Sequence, residues 1–192
     1  AVNKAEMKAG DVAVVVGCGA IGLAITAVLR MRGVPTIVAA DLSPRRRELA
    51  SVMGATHTVD ARQASSITRA SELAPGARLV IFENTGAPGM LGRLILEAPQ
   101  NARVVVSGIA PGEESFIPMV AIMKELSISF IIYYTPQEFA DALAAIRDGH
   151  LDWKPLVTAV VGLDKVGGAT HPPNPRWMAS TTWRNSVPTW SP

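Results

Sequence analysis

From Val12 to Leu29 the chain carries no charge, and Gly17, Gly19 and Gly22 break this apolar run in its middle. Its 18 residues are about the minimum for a membrane-spanning helix. The chemistry changes across the glycines, however. Before them stands Val12-Ala13-Val14-Val15-Val16, a β-branched run that suits a strand. After them Ile21, Ala24, Ile25, Val28 and Leu29 fall at helical spacing. A strand, a tight turn and a helix account for the segment, and a membrane span is not expected.

The same alternation recurs along the chain. Strands are predicted at Val12–Val16, Thr36–Ala40, Leu79–Phe82, Arg103–Val106 and Ile128–Tyr133, with a weaker one at His57–Val59. Their apolar residues run on successive positions, as in strands covered on both faces. Helices are predicted between them. Ala20 to Arg32 stops at Gly33, and Pro44 to Met53 starts after the N-cap Ser43 and stops at Gly54. Met90 to Leu96 is shorter. Pro136 to Asp148 begins in a capping box of Thr135 and Glu138, carries Phe139, Leu143 and Ile146 on one stripe, and ends at Gly149. Strand and helix in alternation imply right-handed crossovers and an α/β, doubly wound parallel sheet.

An apolar content of 48% with 18% charged residues suits one globular domain. That domain is expected over residues 1–166. From 167 to 192 the pattern fails: Pro172, Pro173, Pro175, Pro188 and Pro192 crowd together with Trp177, Trp183 and Trp190, without periodicity. An irregular or disordered tail is expected there. A formal charge of +2, with no basic stretch interleaved with aromatics, argues against nucleic acid. The single cysteine, Cys18, excludes an intrachain disulfide and fits a reducing compartment. With no secretory pattern at the start, a cytoplasmic setting is expected. The opening Ala1, in place of Met, suggests a processed chain or a fragment.

Gly17-Cys18-Gly19-Ala20-Ile21-Gly22 matches G-x-G-x-x-G, and Asp41 closes the next predicted strand 19 residues beyond Gly22. In a strand–turn–helix setting each residue has a task. Gly17 permits the tight turn, Gly19 lets a pyrophosphate approach the backbone, and Gly22 lets the helix lie close to the strand. The helix start at Ala20 and Ile21 offers unpaired N–H groups and the positive end of its dipole. Asp41 can accept both adenosine ribose hydroxyls and would repel a 2′-phosphate, so NAD is expected over NADP. Two rivals stay open: a glycine turn that binds nothing, and an S-adenosylmethionine methyltransferase, which also places an acid after its second strand. The third glycine favours the dinucleotide.

Arg45, Arg46 and Arg47 could brush the adenine or mimic a 2′-phosphate site, with Arg46 the candidate contact, although a solvated helix face is the blander reading. Cys18 fills the turn. His57, His150 and His171 are far apart with no cysteine or carboxylate at ligand spacing, so no metal site is expected. No proton relay or nucleophile motif is present, and no catalytic residue is assigned.

In these motifs the sequence resembles the zinc-type medium-chain alcohol dehydrogenases. Lys8-Ala9-Gly10-Asp11 ahead of the valine run, Ala39-Ala40-Asp41-Leu42-Ser43-Pro44-Arg45, Leu49-Ala50 and Met53-Gly54-Ala55 carry the likeness. So do Glu83-Asn84-Thr85-Gly86, Val105-Val106-Ser107-Gly108-Ile109, Lys124-Glu125-Leu126 and Thr135-Pro136-Gln137-Glu138-Phe139, over about residues 4 to 166. The resemblance implies a Rossmann fold of six strands in the order 3-2-1-4-5-6, with NAD across the switch point. It places Thr85, Gly86, Gly108 and Ile109 beside the adenosine and nicotinamide ends. It further implies hydride transfer between an alcohol and NAD, and a homodimer paired through the edge strand Ile128 to Tyr134. Zinc is expected only in the family's catalytic domain, which this sequence lacks, so the chain alone is expected to be inactive. A zinc-free quinone oxidoreductase-type reductase, disfavoured by Asp41, and a non-catalytic NAD-binding or sensing module remain as alternatives.

Overall fold

Strands that are apolar on both faces need a cover on each side, and a chain that alternates strand with helix supplies both covers by crossing over repeatedly. The computed structural model describes residues 1–157 and 160–165. Within them α1 (Val2–Ala5) leads into β1 (Val12–Val16), α2 (Ala20–Met31), β2 (Ile37–Asp41), α3 (Pro44–Val52) and β3 (His57–Asp60). Then follow α4 (Ser66–Leu73), β4 (Leu79–Glu83), α5 (Met90–Glu97), β5 (Arg103–Val106), α6 (Pro118–Met123), β6 (Ser127–Phe130) and α7 (Pro136–Arg147). The described residues divide into two units: Ala1–Leu156, which holds all of these elements, and a stretch from Val157 that includes a 3-10 turn at Leu163–Lys165.

The six strands form one all-parallel sheet in the order β3-β2-β1-β4-β5-β6. Every residue of β1, β2 and β4 is buried, and alternate positions feed two separate cores. Ala13, Val15, Val80 and Phe82 share one core with Leu23, Ile25 and Leu29 of α2. Val14, Val16, Ile81 and Val104 share the other with Ile67 of α4 and Leu91, Leu94 and Ile95 of α5. Because the sheet is parallel, all its strands deliver their following turns to one edge. The order reverses between β1 and β4, so the turns after these two strands leave toward opposite faces and open a crevice between them.

At the opposite, N-terminal end of the strands, Arg78 grips Asp11 with two hydrogen bonds, its Nε donating to Oδ1 at 3.0 Å. Burial opposes ionisation of Asp11. The Arg78 hydrogen bond and the Lys8 amide outweigh it and hold the carboxyl below its ordinary value. This pair ties the entry of β1 to the entry of β4, 67 residues apart in sequence.

Several expectations shift. The last strand, predicted as Ile128–Tyr133 and on to Tyr134, stops at Phe130. The final ladder bond runs from the Ile131 amide to the Val106 carbonyl; β5 ends at Val106, and among the described residues no strand lies beside the chain beyond Ile131. Tyr133 and Tyr134 stand exposed, leading into the Thr135 cap. Helices α1, α4 and α6 are additions that the sequence pattern does not predict. The expected tail 167–192, its boundary after residue 166 and its three tryptophans lie outside the described residues. Among the described residues, no helix is long and apolar enough to cross a membrane.

Candidate functional site

The turn after β1 is built around steric limits. Gly17 sits at φ 92°, in the left-handed region, and a Cβ there would meet Thr85 Cγ2 at 2.7 Å. A Cβ on Gly22, inside the first turn of α2, would overlap the Gly17 carbonyl oxygen. These two glycines are demanded by the fold. Gly19 is different. It is the N-cap of α2, with φ −73° and ψ −171°, an extended backbone open to any residue, and a Cβ there would meet nothing within 4 Å. No side chain caps α2 and no acidic residue stands in its first turn. Its leading N–H groups, at the positive end of the helix dipole, therefore have no side-chain cap among the described residues. By contrast α3, α4 and α7 are capped by Ser43, Ser65 and Thr135.

Asp41 ends β2 beside this turn and is 8% exposed. Its Oδ2 accepts the Cys18 amide at 2.8 Å and its Oδ1 accepts the Ser43 amide at 2.8 Å. The carboxylate is thus aligned against the glycine turn. Arg46 Nη1 lies 3.6 Å from Asp41 Oδ2, and the Arg46 side chain is 57% exposed. Cys18 is fully buried, as its expected filling role requires. Burial, reinforced by the nearby Asp41 charge, pushes its thiol up to about 12.

Across the switch point, the turns after β4 and β5 are welded together. Glu83, 2% exposed, points its Oε1 at the amides of Thr85 (2.7 Å) and Gly86 (3.0 Å) and at the Thr85 hydroxyl. Its main-chain oxygen accepts the Ser107 and Gly108 amides at 2.8 and 3.0 Å. A Cβ on Gly86 would overlap the Ile109 carbonyl oxygen, and one on Gly108 would overlap the Gly86 amide and Glu83 Oε2. A cavity of about 390 Å³ opens beside these turns, lined in part by Glu83, Gly86, Met90, Gly108, Ile109 and Phe116.

The predicted residues therefore form one continuous rim. Asp41 touches Cys18, Gly17 faces Thr85, and Gly86 meets Gly108 and Ile109, while Ala20 and Ile21 lie exposed on the first turn of α2. Two members of the rim escape sequence reasoning. Glu83 reads there only as part of a motif, and Arg47 only as one of three arginines. Arg47 is largely buried, donating to the Asp41 and Leu42 carbonyls. Among the described residues, no three His, Cys, Asp or Glu side chains come together as a metal site requires.

The family model for zinc-binding dehydrogenases matches residues 20–148. Among curated relatives, (R,R)-butanediol dehydrogenase of Bacillus subtilis is 31% identical over 164 residues, covering 85% of this chain and 47% of that protein. A probable D-xylulose reductase A of Arthroderma otae is 32% identical over 164 residues, covering 83% and 46%. The chain thus spans about half the length of the curated relatives it matches. The crystal structure of 2R,3R-butanediol dehydrogenase from Bacillus subtilis superposes with a TM-score of 0.73 at 32% identity, covering 82% of this chain and 45% of that one. An Escherichia coli alcohol dehydrogenase crystallised with NADH shares the fold, with a TM-score of 0.79 at 24% identity over 88% of this chain and 50% of that one.

Proposed function

The chain belongs to the zinc-binding dehydrogenase family, and from that premise we propose that it is the NAD-binding part of an oxidoreductase that moves hydride between an alcohol and NAD. The observation that carries this reading is Gly19. The fold leaves room for a side chain there and imposes no glycine-only backbone, so the space beside this N-cap is left free for a ligand. A diphosphate is the group that fits: it needs bare peptide nitrogens at a helix start and no Cβ in its way.

In this proposal Gly19, Ala20, Ile21 and Gly22 receive the diphosphate, with Gly17 shaping the turn. Asp41, already aligned by Cys18 and Ser43, takes the adenosine ribose hydroxyls through its remaining lone pairs and repels a 2′-phosphate, with Arg46 at its flank. Thr85, Gly86, Gly108 and Ile109 line the path between the adenosine and nicotinamide ends, held in register by Glu83. Bound NAD supplies the ring carbon that takes hydride. The polarisation of the alcohol oxygen, which zinc provides in this family, is assigned to none of the described residues, and those residues alone are expected to turn over no alcohol. The exposed edge of β6 pairs with a second copy across a twofold axis, and a cytoplasmic setting suits the single buried thiol.

Calorimetric titration with NAD, NADP and S-adenosylmethionine tests the cofactor assignment. NAD is expected to bind more tightly than NADP, and S-adenosylmethionine not at all. Binding of S-adenosylmethionine without NAD would replace the dehydrogenase reading.

A further inference from the structure

Three consecutive arginines open α3, and the fold treats them unequally. Arg45 is 77% exposed and reaches only Glu48, at 3.7 Å. Arg46 is 57% exposed, with a long contact to Asp41. Arg47 is 18% exposed. Its Nη1 donates to the main-chain oxygens of Asp41 (2.9 Å) and Leu42 (3.0 Å), and its Nη2 pairs with Asp60 Oδ2 at 3.1 Å. Asp60 ends β3 directly opposite Asp41 in the sheet register. It is fixed in turn by the Arg62 amide on Oδ1, at 3.0 Å. Arg47 thus staples the ends of two neighbouring strands and the turn that leaves one of them, and the more exposed Arg62 guanidinium reaches the Leu42 carbonyl and, at 3.8 Å, Asp60 Oδ2 beside it.

We infer that Arg47 is a positioning residue for cofactor selection: by clamping the Asp41–Leu42 backbone to Asp60, it holds the Asp41 carboxylate at the mouth of the glycine turn and so sets the preference for NAD over NADP. This rests on the proposed NAD site. The carboxylate is aligned by short amide contacts from Cys18 and Ser43 on opposite oxygens, and such alignment survives only while the main chain carrying it is fixed. The strand-end carbonyl of Asp41, the turn carbonyl of Leu42 and an ion pair on one planar fork provide that fixity, a geometry that lysine cannot reproduce. With Nη1 and Nη2 turned to the Asp41 and Leu42 carbonyls and to Asp60, Arg47 is also directed away from a 2′-phosphate, although its two neighbours in sequence stand exposed to solvent.

The test is the substitution Arg47→Met, which keeps the apolar stem and removes the fork, beside Arg47→Lys and Asp60→Asn. In the ligand-free chain, the Cys18 and Ser43 amides are expected to exchange faster with solvent in R47M than in the wild type. On titration, NAD affinity is expected to fall about tenfold, the loss that follows when one charge-assisted contact is removed. NADP affinity should fall less than about twofold by the same reckoning, so the preference shrinks. R47K is expected to lie between wild type and R47M. D60N is expected to move in the same direction as R47M, and it carries the test if R47M does not fold. An unchanged NAD-to-NADP preference in R47M and D60N, or an equal loss for both ligands, overturns the inference and leaves the cofactor site standing. A wild-type chain that binds neither dinucleotide overturns both.

Discussion

At Gly22 a methyl group has no room, whereas at Gly19 it would meet only open space. The same residue type therefore answers to two different demands within one motif, and substitution separates them. Gly22→Ala forces a Cβ onto the Gly17 carbonyl, a backbone atom that cannot swing aside. It is expected to lower stability by about 3 kcal/mol or more, read as a fall in thermal midpoint; an unchanged midpoint would mean the turn is looser than described. The glycines and Asp41 were legible in the sequence because their meaning is carried by spacing within one strand–turn–helix unit. Arg47 and Glu83 were not. Arg47 matters because β3 lies beside β2 and brings Asp60 within reach. Glu83 matters because the turn after β5 lies against the turn after β4. Neither neighbour can be read from residues close in sequence, and a run of three arginines looks like a solvated helix face until one of them is found turned inward onto Asp60 and the main chain.

At the scale of elements, legibility followed the strength of local signals. Helices α3 and α7 announced themselves by Ser43-Pro44 and by the Thr135/Glu138 capping box, which forms as expected. Helix α4 was missed although Ser65 caps it, because only Ser66, Ile67 and Ala70 are buried and so short an apolar pattern stays below notice. Helix α6 buries no residue at all. Strand β6 was read too long because Ile131, Ile132, Tyr133 and Tyr134 continue its apolar run, yet a strand extends only as far as its neighbour offers partners. The shorter β6 still lies at the edge of the sheet, with one side of its backbone unpaired, and Phe130 at its end is 70% exposed. Such an edge attracts a second strand, and a twofold pairing closes it. Sedimentation equilibrium at micromolar concentration is expected to give twice the mass of one chain; a monomer at that concentration would remove the pairing.

For the whole molecule, the strand order was legible only through the resemblance. Alternating elements imply a parallel sheet, but the reversal between β1 and β4 is a long-range choice that no local pattern encodes. That reversal places the turn after β1, the carboxylate after β2 and the welded turns after β4 and β5 along one rim. The role proposed for that rim is to hold and orient a dinucleotide. Calorimetric titration of NAD into the wild-type chain and into Gly19→Ala, with thermal melting of both, tests that claim most directly. The variant should melt only a little lower, as alanine is a poorer N-cap than glycine, with NAD binding to the wild type and weakened at least about tenfold in the variant. Equal NAD affinity in both proteins, or no binding to the wild type, would contradict it.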